Sequence, residues 1–171
     1  MTPRWITRAL LAEIAQEARR SPRLRKNRNF HEMDDPVHRL LNALEPGTYI
    51  RPHRHLEKEK AETAIAVAGR IGVVFFDEAG GTIECRVMAP ASDLCGVEVP
   101  AGAWHTFVAL EPGSVFFEAK AGPYRKPEGS ELAAWAPAEG SPQAEAFERA
   151  LRARFADADG STPRRPRQPA G

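Results

Sequence analysis

The sequence is poor in cysteine, in long apolar runs and in net charge. It has only 2 cysteines in 171 residues, too few for a disulfide framework. Its longest apolar stretches, such as residues 73–76, fall far short of the roughly 20 residues that span a bilayer, and the N-terminus lacks the apolar core of a signal peptide. A formal net charge of +1 argues against a large nucleic-acid surface. We therefore expect a cytoplasmic protein without a membrane or nucleic-acid partner.

The remaining pattern predicts a mainly β protein flanked by two helices. Apolar residues recur at helical spacing over residues 7–20, behind Thr7 as N-cap, and again after the helix start at Ser141-Pro142. Between them, short β-rich runs separated by turns predict a small antiparallel β-barrel of the jelly-roll type. We divide the chain into an N-terminal helix and basic arm (1–36), a β-barrel (37–125), a C-terminal extension with a helix (126–156) and a disordered basic tail (157–171).

Two histidines one residue apart, His53 and His55, are the first candidates for chemistry. Alternate residues of a strand share a face, so both imidazoles can reach one point. Imidazole suits transition metals, whereas magnesium and calcium prefer oxygen ligands. Glu62 and, after a Pro-x-Gly turn, His105 can complete a site with open positions for water or substrate. The pattern therefore predicts a metal centre.

The spacing of these residues resembles the paired motifs of the cupin superfamily: Gly-x5-His-x-His from Gly47, Glu-x6-Gly from Glu62, and Pro-x-Gly-x2-His from Pro100. Longer stretches resemble one branch of it, the WbuC family of cupin-fold metalloproteins. They are residues 29–32, 35–41, 43–56, 74–78 and 104–118.

The gap of six residues between His55 and Glu62 exceeds the general cupin spacing, and Glu57 and Glu59 are rival carboxylates. We rank Glu62 first, because its distance to Gly69 fits the motif.

The resemblance implies a function in surface-polysaccharide biosynthesis and a homodimer, without implying a secure reaction. The ion could be iron, manganese, nickel, cobalt or zinc. One hypothesis is a metal-dependent isomerase or epimerase of a sugar derivative, in which the ion polarises a carbonyl. The alternatives are a sugar-binding or sensing module without turnover, and an iron-dependent oxygenase.

Further residues are candidates for the pocket. If the strand that carries His53 is regular, Arg51 and Tyr49 lie on the same face as His53, and we expect them to bind substrate. Phe107 shares a face with His105 and should close part of the pocket with apolar surface. Arg51 could equally form a salt bridge at the rim. Glu118 interrupts an apolar strand, where a carboxylate must be paired, hydrated or near a cation, so it could be a catalytic base or a partner of the metal ligands. A plain ion pair with Lys120 is less easy, and an exposed position at the strand end is the other alternative.

His31 and His38 are weaker candidates, because a lone histidine is more often structural than a ligand. The basic tail could contact an anionic partner, although a solvated tail is the simpler expectation.

Overall fold

Two antiparallel sheets form the framework of the structure, a computed structural model that describes residues 2–57, 60–127 and 129–156. The helices are α1 (Arg8–Arg20), α2 (Pro142–Ala153) and a short 3-10 helix (Gly129–Glu131). The strands are β1 (Arg25–Asn29), β2 (Val37–Leu44), β3 (Glu62–Ala68), β4 (Ile71–Phe76), β5 (Thr82–Met88), β6 (Gly96–Val99), β7 (Trp104–Ala109) and β8 (Ser114–Ala121). One sheet has the order β1-β2-β8-β3-β6 and the other β5-β4-β7.

The mainly β architecture with a helix near each end confirms the prediction, with two differences. The two sheets are not joined by continuous strand pairing into a closed barrel over the described residues. The larger sheet also begins at β1, inside the segment expected to be a basic arm, because β1 pairs along its whole length with β2. The predicted tail, residues 157–171, lies outside the described residues.

Both helices cover the outer faces of the sheets. The side chain of Thr7 accepts a hydrogen bond from the Leu10 N–H, which caps α1 as predicted. Ile14 and Ala18 of α1 pack on Leu41 and the larger sheet. Residues of α2 pack on the smaller sheet. Neither described helix has the length and hydrophobicity that a membrane span requires.

Because α1 covers the outer face of β2, this strand is buried on both sides. Leu41 and Ala43 point to the helix, whereas Leu44 belongs to the core between the sheets. The same alternation along β8 directs Phe117 outward and Phe116 inward. The inward residues of the larger sheet thus form one wall of the interior, opposite Phe107 of β7.

Glu139 attaches the segment before α2 to the start of β1. Its carboxylate accepts hydrogen bonds from Arg23 Nε at 2.6 Å and from an Arg25 guanidinium nitrogen at 2.8 Å. Burial alone would raise the pKa of Glu139, but Arg23 and Arg25 hold that pKa below its ordinary value of 4.5. Because the pKa of Glu139 is lower in the folded state, the ionised carboxylate stabilises the protein above pH 4.5. This stabilisation is lost as the pH falls through the pKa of the folded state.

We therefore expect Glu139→Gln to lower the free energy of unfolding at neutral pH by about 0.5–1 kcal/mol, a value reduced for the partial exposure of this carboxylate. The difference from wild type should shrink as the pH falls, because protonation removes the same charge from Glu139. Urea unfolding of both proteins at neutral and acidic pH measures it. Glu145→Gln, at a far more exposed helix position, is the control and should have a smaller effect. An undiminished difference in acid would contradict the prediction.

Candidate metal centre

The four predicted ligands lie together between the two sheets. Their ligand atoms are all within 4.8 Å of one another. His53 and His55 lie in the segment between β2 and β3, Glu62 begins β3, and His105 is the second residue of β7. Glu62 and His105 are almost completely buried, with 1% and 0% of their surface exposed. One connecting segment and two strands from different sheets thus converge on one point.

Backbone hydrogen bonds hold the histidines in place. The N–H of His53 donates to the carbonyl of His105 at 3.0 Å, and the N–H of His105 donates to the carbonyl of His53 at 2.9 Å. The predicted Pro-x-Gly turn before β7 holds the backbone of His55, because the N–H of Gly102 donates to the carbonyl of His55 at 2.7 Å. Gly102 has a φ of 83°, which glycine adopts without the cost that a Cβ adds.

The imidazole tautomers follow from the carbonyl groups beside the rings. His53 Nδ1 is 3.1 Å from the Arg51 carbonyl, and His105 Nδ1 is 2.9 Å from the Ala103 carbonyl. A carbonyl oxygen only accepts, so each Nδ1 carries the proton and each Nε2 keeps a lone pair. The buried His105 Nε2 has no hydrogen-bond partner among the described residues, and it lies 3.3 Å from Glu62 Oε1. A buried nitrogen left without a partner is the arrangement that a metal ligand requires.

The charges of the cluster suit a divalent transition metal. Burial, the larger cause, and the nearby His105, the smaller one, lower the pKa of His53 to about 3, so this imidazole is neutral. Burial alone would raise the pKa of Glu62, but the neighbouring imidazoles of His105 and His55 and the charge of Lys120 hold this pKa well below its usual range. Neutral imidazoles and one carboxylate form a donor set that iron, manganese, cobalt, nickel and zinc accept.

Glu62, rather than Glu57, lies among the three histidines of the cluster. Glu62 Oε2 is 3.0 Å from His55 Nε2. Glu57 is partly exposed and pairs instead with Lys60 at 3.1 Å and with Arg125 at 3.4 Å. The third rival, Glu59, lies outside the described residues.

We expect Glu62→Gln to weaken metal binding by at least about tenfold, because losing a ligand should cost no less than losing a residue that only orients one. Glu57→Gln is the matched control and should keep the wild-type affinity. Competition with a chromophoric chelator measures both dissociation constants. Equal affinities for the two variants would contradict the placement of Glu62 in the ligand set.

A cavity of about 160 Å³ adjoins the cluster. His53 and Glu62 form part of its wall, and the remainder comes from inward-facing residues of both sheets and the connecting segments. They are Arg25, Asn27, Asn42, Leu44, Ile50, Phe107, Phe116, Glu118 and Lys120. Asn27 and Asn42 lie opposite each other in the register of β1 and β2, and Glu62 and Lys120 lie opposite each other in β3 and β8. Strand pairing therefore places polar groups beside the four predicted ligands.

Glu118 and Lys120 form an ion pair at this wall, although the sequence pattern disfavoured it. Lys120 Nζ lies 2.6 Å from Glu118 Oε1 and 3.5 Å from Glu62 Oε2, and Asn42 donates to Glu118 Oε2 at 2.8 Å. The pair forms because both residues face the interior, where an unpaired carboxylate is costly. Burial and the charge of Glu62 raise the pKa of Glu118 despite Lys120 and Asn42. Burial would lower the pKa of Lys120, but Glu118 and Glu62 raise it, so the amine stays charged.

The three predicted substrate-binding residues have different positions. Phe107 lines the cavity with its ring centroid 5.7 Å from that of His105. The guanidinium of Arg51 instead donates to the Ala133 carbonyl at 2.6 Å, and the hydroxyl of Tyr49 donates to the Pro137 carbonyl at 2.8 Å. Neither Arg51 nor Tyr49 is among the described residues lining this cavity, because their segment is not a regular strand.

His31 and His38 form a separate pair outside the cluster. Their rings stack with centroids 4.0 Å apart, and His31 Nδ1 accepts a hydrogen bond from the Arg39 N–H at 2.9 Å. Burial and the neighbouring His31 lower the pKa of His38. These contacts give both imidazoles structural partners.

A sequence model of a family described as a domain of unknown function, DUF6016, matches residues 6–88. The match includes His53, His55 and Glu62 but ends before His105. A search of curated proteins found no match. The WbuC family was not found by either comparison, so that resemblance stays a prediction.

Several solved structures are similar to this chain. KdgF from Halomonas sp. has 21% identity and a TM-score of 0.48, with 61% of this chain and 84% of that chain covered. The conserved SPY1581 protein of unknown function from Streptococcus pyogenes has 16% identity and a TM-score of 0.46, with 64% and 80% covered. Oxalate decarboxylase from Bacillus subtilis, described with Mn(II) centres, has 21% identity and a TM-score of 0.47. That match covers 64% of this chain but only 28% of the decarboxylase. At these identities and TM-scores, the similarities assign no activity.

Proposed function

We propose that this chain is a cupin-type metal-binding protein in which His53, His55, Glu62 and His105 hold one divalent transition-metal ion. The single observation that supports this most is the His105 imidazole, whose Nδ1 is bonded to a carbonyl and whose buried Nε2 has no hydrogen-bond partner among the described residues. The three other ligand atoms surround that nitrogen. Without an ion, a buried nitrogen in this position would be an uncompensated cost.

We further propose a metal-dependent proton transfer on a small substrate, as in an isomerase or epimerase. When bound, the ion would polarise a carbonyl oxygen of the substrate and so acidify the neighbouring C–H group. The Glu118 carboxylate is the group that takes up and returns the proton. Its position on the cavity wall and its raised pKa support this role, because a general base works best with a pKa near the working pH.

Other side chains hold Glu118 and shield the reaction. Asn42 fixes one carboxylate oxygen by its 2.8 Å hydrogen bond, and the charged Lys120 contacts the other. When Glu118 takes a proton from the substrate, it becomes a neutral carboxyl group and the negative charge passes to the substrate, where the positive charge of Lys120 on the same cavity wall stabilises it. Phe107 and Phe116, whose rings stack at 4.6 Å, limit the access of water from the apolar side.

Solvent deuterium exchange tests the catalytic part of the proposal. The metal-loaded protein is incubated in D₂O with aldoses, ketoses and sugar acids, and mass spectrometry measures deuterium at the carbon next to the carbonyl. Glu118→Gln, which keeps the side-chain volume, should lower the exchange rate by about 100-fold or more while retaining the metal. Unchanged exchange in this variant would contradict the role of Glu118. Metal-dependent binding without exchange over the whole panel would instead support a non-catalytic binding module.

The finer assignments are proposals as well. The WbuC resemblance supports a sugar derivative as substrate, a role in surface-polysaccharide biosynthesis and a homodimer, whereas the sequence pattern supports a cytoplasmic location and the four-segment division of the chain. Light scattering on the purified protein tests the dimer, and a mass near that of one chain, 18.8 kDa, would contradict it.

A further inference from the structure

The cavity beside the four ligands is small, which restricts what it can enclose. Its volume is about 160 Å³. A cavity of about 150 Å³ binds a molecule the size of benzene, so this one accommodates a ligand, or a part of a ligand, of about six non-hydrogen atoms. A nucleotide sugar is many times larger and would have to remain mostly outside. The enclosed part of a ligand is therefore a short carbon chain with a few polar groups.

The charges around the cavity leave one positive charge unbalanced once a divalent ion is bound. The ion and Lys120 contribute three positive charges, and Glu62 and Glu118 contribute two negative ones. Arg25 also lines the cavity, and both oxygens of Glu139 lie 2.8 Å from its guanidinium and balance its charge. Arg23, which shares the Glu139 carboxylate, does not line this cavity and its side chain is 60% exposed, so solvent screens its charge. A net charge in a buried site is costly, so a ligand that carries one negative charge fits best. A phosphate ester, with a charge of about −1.5 to −2 at neutral pH, overcompensates it.

The hydrogen-bonding groups of the wall favour a ligand that also donates. The amide nitrogen of Asn42 donates to Glu118, which leaves Asn42 Oδ1 as the acceptor of the same side chain on the cavity wall. The Glu118 carboxylate is a second acceptor. A hydroxyl group can donate to either of them, and the apolar side chains of Leu44 and Ile50 accommodate the carbon chain.

We infer that the cavity binds a small hydroxycarboxylate with a single negative charge, in preference to a neutral polyol, a phosphate ester or a nucleotide sugar. This inference rests on the proposed metal site and defines its ligand. The carboxylate balances the ion and Lys120, and the hydroxyl donates to Asn42 or Glu118.

Three probes of similar size separate these ligand classes: lactate, propane-1,2-diol, which has a CH₂OH group in place of the carboxylate, and methyl phosphate. Untagged protein is loaded with Co²⁺, and calorimetry and the visible absorption of the ion follow each titration. We expect lactate to bind at least about tenfold more tightly than either other probe, because one unbalanced charge at close range is worth that much or more. Equal binding of lactate and the diol, or tighter binding of the phosphate ester, would overturn the inference.

Two substitutions should change lactate affinity in opposite directions. Lys120→Met removes a positive charge and should weaken lactate binding by about tenfold, whereas Glu118→Gln removes a negative charge and should strengthen it by a similar factor. Neither should change the affinity for the diol as much. Lys26→Met, on the exposed side of β1, is the control and should leave both affinities unchanged.

If Lys120→Met fails to fold or to bind Co²⁺, the near-isosteric Glu118→Gln still decides the matter. A Glu118→Gln protein that binds lactate no more tightly than wild type would overturn the charge balance. Failure of the wild-type protein to bind Co²⁺ would contradict the metal site itself. Co²⁺ binding without a preference for lactate would contradict only the ligand class.

Discussion

His105→Ala is expected to lower metal affinity by about 100-fold or more, since loss of residues that only orient a ligand already costs about 10- to 100-fold. The substitution removes the buried Nε2 atom of His105, to which no described residue forms a hydrogen bond. This nitrogen lies 3.3 Å from Glu62 Oε1. Elemental analysis and chelator competition on the purified variant measure the change. Far-UV circular dichroism establishes that the variant remains folded.

The control for this loss is a histidine outside the cluster. His31→Gln keeps an acceptor for the Arg39 N–H and should retain the wild-type metal content. His53→Ala should behave like His105→Ala, because the rings of His53 and His105 are neighbours with centroids 4.4 Å apart. Wild-type affinity in His105→Ala, or equal losses in His105→Ala and His31→Gln, would refute the assignment of His105 as a ligand.

Gly69→Ala should cause the largest loss of stability, about 3 kcal/mol, from backbone strain and overpacking together. Gly69 follows β3 with a φ of 67°, which disfavours any residue with a Cβ. An added Cβ would also lie 2.5 Å from the Ser114 hydroxyl oxygen and 2.8 Å from the Ser114 Cα. Thermal and urea unfolding measure the effect, and a melting temperature lower by about 9 °C corresponds to this loss.

Gly140→Ala separates the two causes. Gly140 has a similar φ of 80°, but an added Cβ there meets no heavy atom within 4 Å. Only the backbone strain remains, so we expect a loss of about 1 kcal/mol. Equal losses at positions 69 and 140 would show that the contact with Ser114 contributes nothing.

Much of the candidate site was predictable because its residues lie in short local patterns. A His-x-His pair, a carboxylate at the start of a strand and a histidine after a Pro-x-Gly turn each imply a position without knowledge of distant contacts. The turn at Gly102 does hold the segment of His55 by a backbone hydrogen bond. The helix beginning after Thr7 was predictable for the same reason, since its cap and its apolar spacing are local.

The features that the sequence did not indicate depend on the pairing of strands that lie far apart in the chain. β1 contains no apolar residue, and only its pairing with β2 makes it a strand. The expected positions of Arg51 and Tyr49 assumed regular strand alternation, but in this segment only His53 forms a β-bridge, so a period of two does not apply. The contact between Lys120 and Glu62 requires the register of β3 with β8, which no local pattern contains.

The most direct test of the central claim is the metal content of the untagged protein after reconstitution and removal of loose ions. Elemental analysis should find about one equivalent of a transition metal per chain, bound through the cluster of His53, His55, Glu62 and His105. Less than about a tenth of an equivalent of every transition metal tested would contradict the metal site and the functions proposed from it.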